Sequence, residues 1–299
     1  MSKTTKLFSI LLILLLLIPL SYAQEEDSCG LTNLATCIPQ KFFEFLLGII
    51  NAPLQPFLTL TKALLSEPVN IQVFISLWAI IIYILSIFYG LFMLFAGFNF
   101  MVSGYSAEKR ETAKMWLRNV FLMMLFVQSS FYLYSILIEL SSSMTAGVIN
   151  MVDPQFFLLT IDNITNLGLQ IILAIPYLIT LLFSVILLSL RYLLVATGVL
   201  FFPIGLFLYF IPPLQGYGKL TINVLMIVMF LPFIQSLMLL AASKVIEIPV
   251  FQNFKIVILI ATFVLINLAM ILLIFFAIAK AAMSVIHSDM GKTVAVMAK

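Results

Sequence analysis

The sequence predicts an all-α fold: a polytopic transmembrane helical bundle of about five to six spans, carrying an interfacial amphipathic helix. Three observations predict it. Hydrophobic residues make up 64% of the 299 and charged residues 9%, against about 25% charged in a soluble domain. Mean hydropathy is +1.22. The apolar residues fall in blocks near the roughly 20 residues that one crossing needs, separated by short stretches rich in charge, Pro or Gly. Lipid is therefore the expected solvent. The net charge of +3 is too small for a nucleic-acid-binding surface of any size, so no direct sequence-specific nucleic-acid binding is expected.

Residues 1–23 read as a signal peptide. Lys3 and Lys6 form a positive n-region, Leu7 to Leu20 an apolar stretch, and Ser21-Tyr22-Ala23 a small-x-small cleavage site. An uncleaved anchor helix would leave Gln24 on the same side. Residues 24–70 are then extracytoplasmic and open on the acidic patch Glu25-Glu26-Asp27. Cys29 and Cys37, the only cysteines, are expected to form a disulfide in that compartment. Within 41–65, Lys41, Glu44, Gly48, Asn51, Gln55, Thr59 and Lys62 share one narrow polar stripe at 100° per residue. That pattern suits a helix lying in the outer interface, broken into two halves by Pro53 and Pro56. An ordinary span is the alternative.

A helical hairpin with a cationic cytoplasmic loop is expected over 71–140. The first span is Ile71 to Val102, and Ser106 has the composition of an N-cap with Glu108 in the first turn. Arg110, Lys114 and Arg118 recur at i, i+4, i+8 on the helix that follows, beside Trp116 as a headgroup-level anchor. This densest basic cluster assigns the loop to the cytoplasm, and the second span is expected from Met115 to Leu140. The stripe reads either as a topology signal touching anionic lipid or as a docking face for a cytoplasmic partner. Residues 141–165 carry no Lys or Arg and form the extracytoplasmic loop, with a turn at Asp153-Pro154 and a glycosylation acceptor at Asn163-Ile164-Thr165.

The membrane core is expected over 166–286 as four apolar blocks, 166–190, 192–213, 220–243 and 255–286, before a tail at 287–299. Pro203, Gly205, Pro212, Pro213, Gly216 and Gly218 mark the second block as a broken segment that dips in and returns. That leaves five crossings, puts the tail inside and concentrates Lys and Arg in the cytoplasm, whereas full crossings by all four blocks would put the tail outside with almost no charge bias. The Pro/Gly series is either a packing kink or a broken helix lining a path. Arg191, Glu139, Lys244, Glu247 and Lys280 are read as sitting at block edges, where long side chains can snorkel.

Catalytic signatures are missing from the sequence. It holds no Gly-x-x-x-x-Gly-Lys-Ser/Thr phosphate loop and no metal-ligand spacing of Cys, His or Asp. Its one histidine, His287, adjoins Ser288 and Asp289 in a tail where adjacent residues cannot form a relay. Neither an enzyme nor a bound cofactor is expected.

Two stretches carry a resemblance. Arg191-Tyr192 through Ile246, with Phe202-Pro203, Ile211-Pro212-Pro213, a short Gly-rich turn and Leu231-Pro232-Phe233, resembles the core of the TrbL-like polytopic inner-membrane subunit of type IV secretion and conjugation machines. Gly97-Phe98-Asn99-Phe100-Met101 through Asn119 resembles the helix–loop–helix of the pilin-like subunits of those machines. Together they cover about a third of the chain, and related archaeal DNA-import membrane proteins fall under the same resemblance. It implies a non-catalytic platform or channel component of a DNA-transfer apparatus in the cell membrane, with the mature amino end outside. It also implies a separate cytoplasmic ATPase and a pilin-like subunit as partners; the sequence leaves the oligomeric state open, a homo-oligomer included. The rival expectation is a stand-alone small-solute channel or transporter.

Overall fold

The computed structural model describes residues 34–158, 167–252 and 254–286. The expected signal peptide, Cys29, Asn163 and the tail from His287 lie outside the described residues, and with them the expected disulfide and glycosylation acceptor. The chain divides into two units, Met1–Phe45 and Leu46–Lys299. In the first unit the described residues are the opening turns of a helix. The account below concerns the second.

Every regular element among the described residues is helical: α1 (Leu34–Ser66), α2 (Ile75–Val102), α3 (Ala107–Gln128), α4 (Ser130–Ile149), α5 (Leu167–Phe210), α6 (Gln215–Ile246), the single turn α7 (Pro249–Gln252) and α8 (Lys255–Ile286). Five segments are long and apolar enough to cross a membrane: Gln72–Val102, Ser130–Ile149, Ile172–Phe210, Pro212–Ile246 and Lys255–Lys280. The chain is thus an all-α polytopic bundle, as the composition predicted.

The expected break of the first amphipathic segment does not occur, because α1 runs unbroken through Pro53 and Pro56. Each proline removes one helical donor, but the helix continues through both, with Leu54, Thr61 and Leu65 buried against the rest of the second unit. Gln55, Thr59 and Lys62 of the polar stripe stay exposed. With Thr61 they line one wall of a cavity of about 290 Å³, whose other walls include Ile149, Val152 and Phe157.

α2 and α3 form the hairpin. Ser106 adopts an extended conformation (φ −147°, ψ 131°) and its side chain accepts from the Lys109 amide at 3.3 Å, the N-cap that the sequence predicted. The second span lies further along than expected. The helix pauses at Ser129, whose hydroxyl donates to the Leu125 carbonyl at 2.8 Å, and the apolar span is α4. Glu139 therefore sits near the middle of a span rather than at its end.

The long α5 organises the core. At 1.5 Å per residue its 44 residues reach about 66 Å, roughly twice the hydrocarbon thickness of a bilayer. Three apolar clusters follow one another along it. Tyr177, Leu181 and Leu188 pack with Leu54, Leu239, Leu259 and Phe263. Val195, Val199 and Phe202 pack with Phe131, Tyr134, Val228 and Met229. Phe207 and Ile211 pack with Leu85, Tyr89, Val120 and Met123.

The broken segment expected over 192–213 is corrected by the same helix. Blocks 166–190 and 192–213 are joined in α5, which continues through Pro176 and Pro203. The chain turns only after Phe210, where Ile211 is extended (φ −92°, ψ 111°), the conformation favoured before proline, and Pro212–Leu214 make one 3₁₀ turn into α6. Five candidate spans remain because two blocks fuse, not because one dips and returns.

Candidate functional site

A charge in an apolar run marks either a boundary or a buried polar centre. Arg191 is the second. It lies near the middle of α5, only 4% exposed, and does not snorkel to an edge. Its Nε donates to the Val228 carbonyl at 3.1 Å, its Nη2 to the Met229 carbonyl at 3.1 Å and its Nη1 to the Leu64 carbonyl at 3.5 Å. One guanidinium thereby ties α5 to α6 and to the last turn of α1.

Two of these carbonyls lack a helical donor because of proline. Pro232 lies four residues after Val228 inside α6 and has no N–H to offer it. Leu64 belongs to the last turn of α1, where carbonyls are left without intrahelical partners, and the residue four positions on is Pro68. Leaving a buried carbonyl unpaired costs about 1–3 kcal/mol. The five N–H donors of arginine in a planar fork suit three acceptors from two directions in a way that a lysine ammonium does not. The carbonyl end of the α1 macrodipole adds a favourable field for the cation.

Polar side chains extend this centre. Ser141 of α4 donates to the same Met229 carbonyl at 2.7 Å, and Ser142 donates to the Ser66 carbonyl at the end of α1. Tyr134 donates to the Val195 carbonyl at 2.7 Å, and Tyr192 accepts from the Asn70 amide at 3.1 Å. Further along α6 and α8, the fully buried Gln235 places its amide nitrogen 3.6 Å from Met270 Sδ and its Oε1 has no partner among the described residues, while Asn267 donates to the Thr180 carbonyl at 3.4 Å.

Glycines set how closely α5 and α6 approach. A Cβ on Gly218 would stand 2.2 Å from the Tyr209 backbone nitrogen, and one on Gly205 would stand 3.1 Å from Thr221 Cγ2. Gly198, which the sequence reading did not single out, faces Tyr134 Oη at 2.3 Å on the same basis. Gly205 and Gly218 thus serve helix packing, the use that membrane helices commonly make of small residues. Pro203 is buried inside α5, Pro212 and Pro213 are exposed at the turn, and Gly216 is half-buried at the start of α6.

Arg110, Lys114 and Arg118 are all exposed on α3, opposite the buried Ala113, Val120 and Met123. Trp116 packs edge-on against Phe95, with ring centroids 5.5 Å apart, and fixes that face relative to α2. The structure therefore keeps the basic stripe together on one surface and well away from Arg191. Among the described residues no group of three His, Cys, Asp or Glu converges. The arrangement holds helices together and presents a charged face. The chain matches no protein-family profile, no curated protein and no solved structure.

Proposed function

We propose that this chain is the non-catalytic membrane platform of a type IV secretion-like transfer apparatus, working with a separate cytoplasmic ATPase. The observation that carries the reading is the use to which its central charge is put. A proton- or ion-coupled transporter keeps intramembrane charges free to bind and release cargo. Here all three described hydrogen bonds of Arg191 go to main-chain carbonyls of neighbouring helices, which suits a scaffold. The exposed stripe of Arg110, Lys114 and Arg118 gives that scaffold a face for a soluble partner. The resemblance of residues 191–246 to TrbL-like subunits points the same way.

In this reading the protein sits in the cell membrane with its mature amino end outside. The described segments are compatible with that: five crossings put Lys109–Arg118, Lys219 and Lys280 on one side and Lys62, Lys244 and Lys255 on the other, so the side richer in Lys and Arg is assigned to the cytoplasm. A clean deletion tests the proposal. Loss of DNA or protein transfer, restored by the intact gene, is the expected result, and undiminished transfer would refute it.

A further inference from the structure

We infer that the outward face of α4 docks a membrane helix of a different polypeptide, one that sets a Lys or Arg against Glu139. α4 has two unlike faces. Phe131, Tyr134, Ile138, Ser141, Thr145 and Ile149 are buried against the bundle. On the other side Tyr132, Ser135, Glu139, Ser143 and Asn150 fall within about 40° of one line at 100° per residue. All of these but the half-buried Ser135 are exposed.

Glu139 lies midway along this 20-residue helix. Its Oε1 accepts from Ser135 Oγ at 3.1 Å, a donor on the same outward face, and no cation partners it among the described residues. A carboxylate at that depth facing lipid is costly, and such groups face protein or a wet cavity and pair with opposite charge. Serine hydroxyls above and below it are further groups that bond across helices in membranes.

A second copy of this chain is a poor occupant. The only basic residue near the middle of any of the five spans is Arg191, which is buried and bound to carbonyls. Two α4 helices meeting about a twofold axis would set Glu139 against itself, and like charges destabilise such a pairing. The complement has to come from another chain: an apolar helix with one cation near its middle. The inference needs only that α4 crosses the bilayer, and holds whichever apparatus the chain serves.

The test is site-specific photo-crosslinking in the native membrane, with a photoreactive residue at Tyr132 or at Ser143 of the full-length chain. The expected result is that both positions capture one and the same heterologous peptide, apolar and carrying a Lys or Arg. Glu139→Gln, close to isosteric, should lower the yield by about thirtyfold or more, as loss of one partner of a desolvated charge pair does. Glu139→Lys should abolish capture, and an acidic replacement of the partner's cation should restore it. Several results would overturn the inference: an adduct only with lipid or with a second copy, a captured helix without a basic residue, a yield indifferent to Glu139→Gln, or no adduct. Rapid reaction of Ser143→Cys with a membrane-impermeant maleimide, measured against the parent chain, would assign the face to water and equally overturn it.

Discussion

Arg191 donates from Nε to the Val228 carbonyl, the acceptor that Pro232, one turn further along α6, leaves without its helical donor. A side chain on one helix thus completes the backbone of another. The same guanidinium reaches the Leu64 carbonyl in the last turn of α1, so two defects in separate helices are repaired by one residue between them.

Arg191→Ala should destabilise the bundle by about 3 kcal/mol or more, since each buried carbonyl left unpaired costs about 1–3 kcal/mol. Arg191→Lys should recover only part of this, because an ammonium cannot span acceptors on two helices as the planar fork does. Thermal unfolding of the purified protein in detergent measures both. Equal stability of the alanine variant and the parent would contradict the clamp.

Pro232→Ala supplies the N–H that Val228 lacks. On its own the substitution should change stability little, because one donor replaces another at the same acceptor. In the Arg191→Ala background it should return about 1 kcal/mol, the net worth of one hydrogen bond. The double-mutant cycle reads that coupling directly, and strict additivity would show that the two residues do not share the carbonyl.

Gly218→Ala should cost about 3 kcal/mol, the upper end for overpacking, because the new methyl meets the Tyr209 backbone and not a movable side-chain tip. Gly90→Ala, where a Cβ meets nothing within 4 Å, should be neutral or stabilising by up to about 1 kcal/mol through helix propensity. Melting temperatures of the two variants should therefore move apart.

Reversing the stripe with Arg110→Glu, Lys114→Glu and Arg118→Glu should leave the folded bundle intact, since all three side chains are exposed. Co-purification of a cytoplasmic partner should be lost. Retained co-purification would leave the stripe a lipid contact and a topology signal.

Local signals in the sequence led to local structure. The span at Gln72–Val102, the Ser106 cap and the apolar run of α8 each follow from composition, capping chemistry or unbroken hydrophobicity within one segment. What could not be read was non-local. Pro53, Pro56 and Pro203 look like breaks, yet the helices continue through them, with neighbours such as Leu54 and Phe202 buried against distant segments. Arg191 looks like a boundary between two blocks, because the carbonyls that satisfy it belong to residues 127 and 37 positions away. The one available signal was the pair of prolines, Pro68 and Pro232, each of which announces an unpaired carbonyl four residues earlier. Glu139 looks like the end of a span for a related reason: a charge in an apolar run suggests a boundary, whereas this span begins only at Ser130 and has Glu139 at its middle.

The platform reading is tested most directly by purifying the carboxyl-tagged protein from its native membrane in mild detergent and identifying what comes with it by mass spectrometry. The account predicts a cytoplasmic ATPase and a pilin-like membrane subunit in the same complex. Recovery of the chain alone, as a monodisperse oligomer that conducts solutes when placed in liposomes, would contradict it and establish a self-sufficient channel instead.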